Sequence, residues 1–247
     1  GKAAKGRAII NLLELKEGEN VTSLIPVRDF DERQLVMATR YGTIKKTVLS
    51  AYGNPKKGGI IAINLDEGDR LIGVKMTNGK QDIILGTEKG KAIRFSEENV
   101  RTMGRVTHGV KGITLKRDDM VRGMVVVDEN ATLLTVCENG FGKRTPIAEY
   151  TRHGRGTKGM IAIQTSERNG KVVAAVLASP GETREEIMLI STGGVLIRTR
   201  VTDIRVMGRS TQGVTLINLD DGTHLAGVEK VIETEDDDLP AEPPIED

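Results

Sequence analysis

The chain repeats itself. Strand-like openings GRAIINL, GIIAINL, GVKGITL, GMIAIQT and GVTLINL begin at Gly6, Gly59, Gly109, Gly159 and Gly213, so successive copies lie 53, 50, 50 and 54 residues apart. A second anchor, a glycine followed four residues later by a base, recurs as Gly42 with Lys46, Gly90 with Arg94, Gly140 with Arg144 and Gly194 with Arg198. A period of this length marks a fold built from copies of one small unit, each unable to bury its apolar face alone.

Four strands are read within a copy. In the fourth they are MIAIQT, then KVVAAVLA after the turn ERNG, then EIMLIST, and VLIRTRV after the Gly193-Gly194 turn. Turns at Glu17-Gly18, Glu67-Gly68, Asn169-Gly170 and Asp221-Gly222 supply the glycine that a tight hairpin reversal favours. Val, Ile and Leu dominate the apolar residues, and no segment carries a 3.6-residue apolar period of helix length. The expected fold is therefore all-β: propeller-like, with four-stranded antiparallel blades, about 50 residues per repeat, four complete units and a partial fifth. Lacking an initiator Met, the chain is read as a piece of a longer polypeptide.

Charge divides the chain in two. The segment from Glu233 to Asp247 holds eight acids and no bases, so the net charge of +1 is the sum of −8 there and +9 over residues 1–232. The expected domain boundaries follow: a folded basic domain over 1–232 and an acidic, Pro-rich, disordered tail over 233–247. The tail either solubilises the chain or competes, as an internal polyanion, for the basic surface. No run reaches the 18 or so apolar residues of a membrane helix and the N-terminus lacks a signal peptide's hydrophobic region, so a cytoplasmic location and no membrane partner are expected. The one cysteine, Cys137, lies in the apolar run TLLTVCE and is read as a core residue.

Gly154, Gly156 and Gly159 have the spacing of a dinucleotide-binding fingerprint, but that motif needs a preceding strand and a following helix. Here it follows a loop and leads into a strand. It is one copy of a junction that recurs as GKAAKG from Gly1, GNPKKGG from Gly53, GRVTHG from Gly104, GRGTKG from Gly154 and GRSTQG from Gly208. The shared content is a glycine, usually a base beside it, and a glycine opening the next strand. Glycine permits a sharp crossing between blades, while bases placed once per repeat form a discontinuous basic belt. Candidate phosphate contacts are Lys2, Lys5, Arg7, Lys56, Lys57, Arg101, Arg105, Lys111, Arg152, Arg155, Lys158, Arg205 and Arg209 near the junctions, with the anchor bases Lys46, Arg94, Arg144 and Arg198.

Catalytic and metal signatures are lacking. His108, His153 and His224 are too widely spaced for a local site, GFGKRT lacks the ending of a phosphate loop, and the acids gather in turns and the tail. No catalytic residue, metal or cofactor is assigned. Six dispersed aromatics do not supply the stacking path that single strands use, and no helix is available to read bases. The expected partner is duplex DNA held by its phosphates. A propeller-type scaffold binding acidic protein surfaces is the alternative from another class.

GRAIINLLELKEGENVTSLIPV, VMATRYGTIKKTVLSAY, ENGFGKRTPIAEY, TKGMIAIQTSERNGKVV and VMGRSTQGVTLINL resemble the C-terminal domain of bacterial DNA gyrase A, over nearly all of residues 1 to 232. The resemblance implies a β-pinwheel whose blades exchange strands, and a non-catalytic role in wrapping duplex DNA for ATP-dependent negative supercoiling. It further implies that the partners are the gyrase A N-terminal region and gyrase B, and that ATP and Mg are used elsewhere in the holoenzyme. The family's Q-R-R-G-G-K-G box is absent and, by the family's layout, is expected upstream of Gly1 with a further blade. The C-terminal domain of the corresponding subunit of topoisomerase IV is the closely similar alternative.

Overall fold

In a computed structural model of the chain, residues 13, 15–56, 58–179 and 185–232 are described. Lys2, Lys5, Arg7, Lys57, the first junction and opening strand, and the acidic segment from Glu233 lie outside them.

The elements are β-strands joined by turns and short 3-10 segments. A repeat's inner hairpin comes first: β1 (Gln34–Thr39) and β2 (Thr43–Val48), β4 (Asp82–Thr87) and β5 (Lys91–Ser96), β8 (Thr132–Cys137) and β9 (Phe141–Pro146), β12 (Glu185–Ser191) and β13 (Leu196–Arg200). In the first hairpin Gln34 faces Val48 and Ala38 faces Ile44, and Gly42, at φ +87°, closes the turn. Strands β3 (Leu71–Thr77), β7 (Val121–Val126), β11 (Val172–Ala178) and β15 (Leu225–Ile232) pair with the first strand of the preceding hairpin. Three two-residue strands, β6 (Val110–Lys111), β10 (Met160–Ile161) and β14 (Val214–Thr215), complete the strands among the described residues.

Sheet order shows what the repeats do. The sheets run β3-β1-β2-β6, β10-β5-β4-β7, β11-β8-β9-β14 and, with three strands among the described residues, β13-β12-β15. Ladder pairs in all four sheets are antiparallel. The four consecutive strands of a copy do not stay in one sheet. Those of the fourth copy are dealt to three sheets: β10 to the second, β11 to the third, β12 and β13 to the fourth. Likewise β14 and β15, expected as a partial fifth unit, join the third and fourth sheets. Strand exchange between neighbouring copies, implied by the resemblance, is thus the rule of assembly.

The exchanged two-residue strands dock because a glycine precedes each. Gly109, Gly159 and Gly213 have φ of 114°, 65° and 80°, and a Cβ there would stand 2.6, 2.4 and 2.7 Å from the carbonyl oxygens of Ile44, Ala92 and Gly142. Only a glycine lets the backbones approach so closely in that conformation.

By contacts the described chain forms two compact units. The first falls within Gly1–Thr87, Ala92–Val126 and Thr151–Met160; the second within Glu88–Lys91, Val127–Tyr150 and Ile161–Asp247. The first is centred on Val36, Ile44, Ile83, Leu85, Ile93 and Phe95, and the second on Leu134, Val136, Ile187, Leu189 and Val201, all essentially inaccessible to water. Burying each such side chain contributes roughly 1.5–3 kcal/mol. In β4 all six residues are buried, so its apolar middle, Ile83–Leu85, runs without alternation between Asp82 and Thr87, which are buried as well.

Candidate nucleic-acid interface

Each fully described junction carries one arginine at the same repeat position, and each is tied in the same way. Arg105 donates through Nη1 to the carbonyl of Ile61 at 2.9 Å, Arg155 to that of Lys111 at 3.0 Å, and Arg209 to that of Ile161 at 2.9 Å. The three acceptors stand two residues after Gly59, Gly109 and Gly159, the opening glycines of the preceding copies. Arg155 Nε also donates to Asn99 O at 2.9 Å, and the backbone N–H of Arg209 to Glu149 Oε2 at 3.0 Å. A guanidinium has five N–H donors. All three side chains remain half-buried rather than enclosed. Fixing an arginine through one or two of these donors orders its planar fork while using only part of its donor capacity.

Around them, Lys56, Arg101, Lys111, Lys158 and Arg205 are exposed. Arg152, 60% exposed, donates from Nε to Asp82 Oδ2 at 2.8 Å.

The anchor bases behave differently. Lys46 is buried and its Nζ donates to the carbonyl of Glu97 at 2.8 Å. Arg94 is buried against the Asp82 carboxylate, 2.8 Å away. Arg144 donates from Nε to Ile204 O at 2.8 Å, and burial lowers its pKa. Arg198 is exposed and paired with Glu186. Lys46 and Arg94 are therefore corrected from candidate phosphate contacts to internal fasteners, because a side chain closed off from water cannot meet a duplex. Lys46 and Arg144 bind backbone carbonyls outside the strands, whereas Arg94 and Arg198 pair with carboxylates on the adjoining strand.

Two further bases escaped the sequence reading. Lys45 and Lys143, three residues after Gly42 and Gly140, have no exposed surface. Lys45 Nζ donates to Ala62 O and Arg105 O, both at 2.5 Å; Lys143 Nζ donates to Gly208 O at 2.5 Å and Arg209 O at 2.6 Å. Burial, with Arg105 beside it, brings Lys45 down to about 8. Burial first, then Arg209 against the opposing pull of Glu149, brings Lys143 to about 8. A signal was there to find. Ten residues after the same glycines stand Tyr52 and Tyr150, whereas the second and fourth copies have Ile93 with Val100 and Ile197 with Ile204 at these two positions. The Tyr52 hydroxyl donates to Ala62 O, an acceptor it shares with Lys45.

Other chemistry is accounted for locally. His108 Nδ1 lies 3.0 Å from Asp66, and His224 Nδ1 lies 3.1 Å from Asn139 Oδ1. Cys137 packs with Ile163 and Val172, and burial pushes its thiol up to about 12. GFGKRT is the Gly140 turn followed by the first five residues of strand β9, with Lys143 turned inward. Among the described residues no three His, Cys, Asp or Glu gather, and no helix is long and apolar enough to cross a membrane.

Comparison with known proteins agrees with this architecture. The profile of the DNA gyrase C-terminal domain, beta-propeller, matches residues 1–28, 33–78, 81–128, 131–179 and 185–232. The last four segments begin at or one residue before β1, β4, β8 and β12, so they count copies from the inner hairpin rather than from the exchanged strand. DNA gyrase A of Salmonella typhimurium is 44% identical over 238 residues, 96% of this chain and 27% of that protein. Its Escherichia coli counterpart is 43% identical over the same shares. The chain thus spans about a quarter of these relatives. A solved DNA gyrase A C-terminal domain superposes with a TM-score of 0.80 at 28% identity, over 94% of this chain and 77% of that one. The C-terminal domain of a DNA topoisomerase IV superposes at 0.85 with 24% identity, over 92% and 71%, a likeness of fold.

Proposed function

The chain belongs to the DNA gyrase C-terminal domain family, and from that premise we propose that it is a non-catalytic module that binds duplex DNA by its phosphates and bends it along successive junctions. The observation that carries the reading is the recurrence of Arg105, Arg155 and Arg209 at one repeat position with one mode of attachment. A base fixed once per copy suits a polymer whose charge also repeats. The exposed bases Lys56, Arg101, Lys111, Arg152, Lys158 and Arg205 extend the same contact.

Bending several tens of base pairs costs a few kcal/mol, which many Lys and Arg contacts must offset by releasing counterions. The module serves a cytoplasmic gyrase holoenzyme, with the gyrase A N-terminal region and gyrase B as partners. ATP and Mg are used in those other parts, which drive negative supercoiling.

A gel shift with unrelated duplexes tests the reading. Retardation at low salt, independent of sequence and falling steeply as salt rises, is expected. No retardation at low salt rejects it in favour of a protein-binding scaffold.

A further inference from the structure

Alternate copies of the repeat bury a lysine beneath a junction, and nothing in the apolar packing calls for one. Where the second and fourth copies have Ile93 and Ile197, the first and third have Lys45 and Lys143. Ile93 is fully buried, so an aliphatic side chain serves at this position. An ammonium there must be compensated by acceptors. Besides Ala62 O at Lys45, the acceptors are junction carbonyls: Arg105 O above Lys45, and Gly208 O and Arg209 O above Lys143. Each lysine thus grips the backbone of the residue whose side chain is proposed to meet phosphate.

We infer that Lys45 and Lys143 are positioning residues for DNA binding: each holds one arginine-bearing junction through a buried ammonium, and affinity for duplex DNA follows their protonation. The inference rests on the DNA-binding reading and adds a pH dependence to it.

The physical link is reciprocal. Lys45 faces the like charge of Arg105, and Lys143 faces Arg209 with Glu149 opposing. A phosphate seated at either arginine relieves that repulsion and favours the charged lysine. By linkage, losing the lysine's proton weakens the phosphate's hold. Charge-assisted bonds to the loop carbonyls also weaken when the amine becomes neutral. Both lysines stand near pH 8, so the change falls just above neutrality. The remaining titratable neighbours are silent in this range: burial pushes Cys137 up to about 12 and raises the phenols of Tyr52 and Tyr150.

The test is a titration of the 247-residue chain with a labelled duplex at fixed low salt, from about pH 7 to about pH 9.5. Affinity of the unaltered chain is expected to fall about fivefold across that range. Lys45→Met with Lys143→Met is expected to bind about fivefold more weakly at pH 7 and to show no further fall. Hydrogen exchange without DNA should speed up at residues 104–109 and 208–213 in that variant but not at 154–159, where Ile93 stands at the equivalent repeat position. A flat profile for an unaltered chain that does bind DNA overturns the inference, as does a variant that keeps the unaltered slope. Loss of all DNA binding at pH 7 by the unaltered chain instead rejects the function on which it rests. Should the double variant not fold, the unaltered chain's own profile still decides.

Discussion

Arg209 donates through Nη1 to the carbonyl oxygen of Ile161 at 2.9 Å, the same contact that Arg105 makes with Ile61 one repeat pair earlier. The side chain is therefore both a fastener between exchanged strands and, on the proposed reading, a phosphate ligand. Arg209→Glu should lower stability by about 1 kcal/mol, the worth of one such bond. It should also lower the salt slope of DNA binding by about one unit. Denaturant melts and salt-titrated binding measure the two effects separately. A loss of stability with an unchanged slope would leave Arg209 a fastener only.

For the anchor bases the order of effects reverses. Arg94 is buried against Asp82, which Arg152 also reaches from the surface. Arg94→Met strips the carboxylate of its buried partner and should cost about 3 kcal/mol, while the salt slope stays at its original value. A reduced slope in a folded variant would mean that Arg94 does meet phosphate.

The glycines of the G-x-G-x-x-G spelling should separate sharply. A Cβ on Gly154 meets nothing within 4 Å, whereas one on Gly159 stands 2.4 Å from Ala92 O at a φ of 65°. Gly154→Ala should change stability by less than about 0.5 kcal/mol and leave DNA binding intact, while Gly159→Ala should cost more than about 2 kcal/mol. Equal costs would mean that the spelling acts as one unit, as a ligand cradle would.

Periodicity alone made the copy number, the strand type and the junction arginines legible. Two things stayed hidden, for a shared reason. Repetition shows that GMIAIQT recurs but not which sheet receives Met160–Ile161, because a two-residue strand gains its partner from residues about seventy positions away. It shows a base at Lys46 and Arg94 as plainly as at Arg105, since a one-letter pattern does not distinguish an ammonium that meets water from one that meets a carbonyl. Lys45 and Lys143 were overlooked beside the recurring Lys46 and Arg144, although their pairing with Tyr52 and Tyr150 in alternate copies was there to be read.

That pairing gives folding stability an unusual pH profile. Lys45 and Lys143 are brought from 10.5 to about 8 by burial, so between those values the unfolded chain holds protons that the folded chain has released. Stability then rises with pH. Cys137 works the other way: it is pushed from 9.0 to about 12, so above pH 9 the unfolded thiol ionises first and stability is drawn down. Tyr52 and Tyr150, raised from 10.0, add to that fall above pH 10. Denaturant unfolding should therefore show stability climbing from pH 8 to 9, flattening toward 10 and declining beyond it. Lys45→Met with Lys143→Met should remove the climb, and Cys137→Ala should steepen the rise above pH 9. Over the same interval DNA affinity is expected to fall, so the two curves cross in opposite directions. Parallel curves would mean that the lysines act on the fold alone.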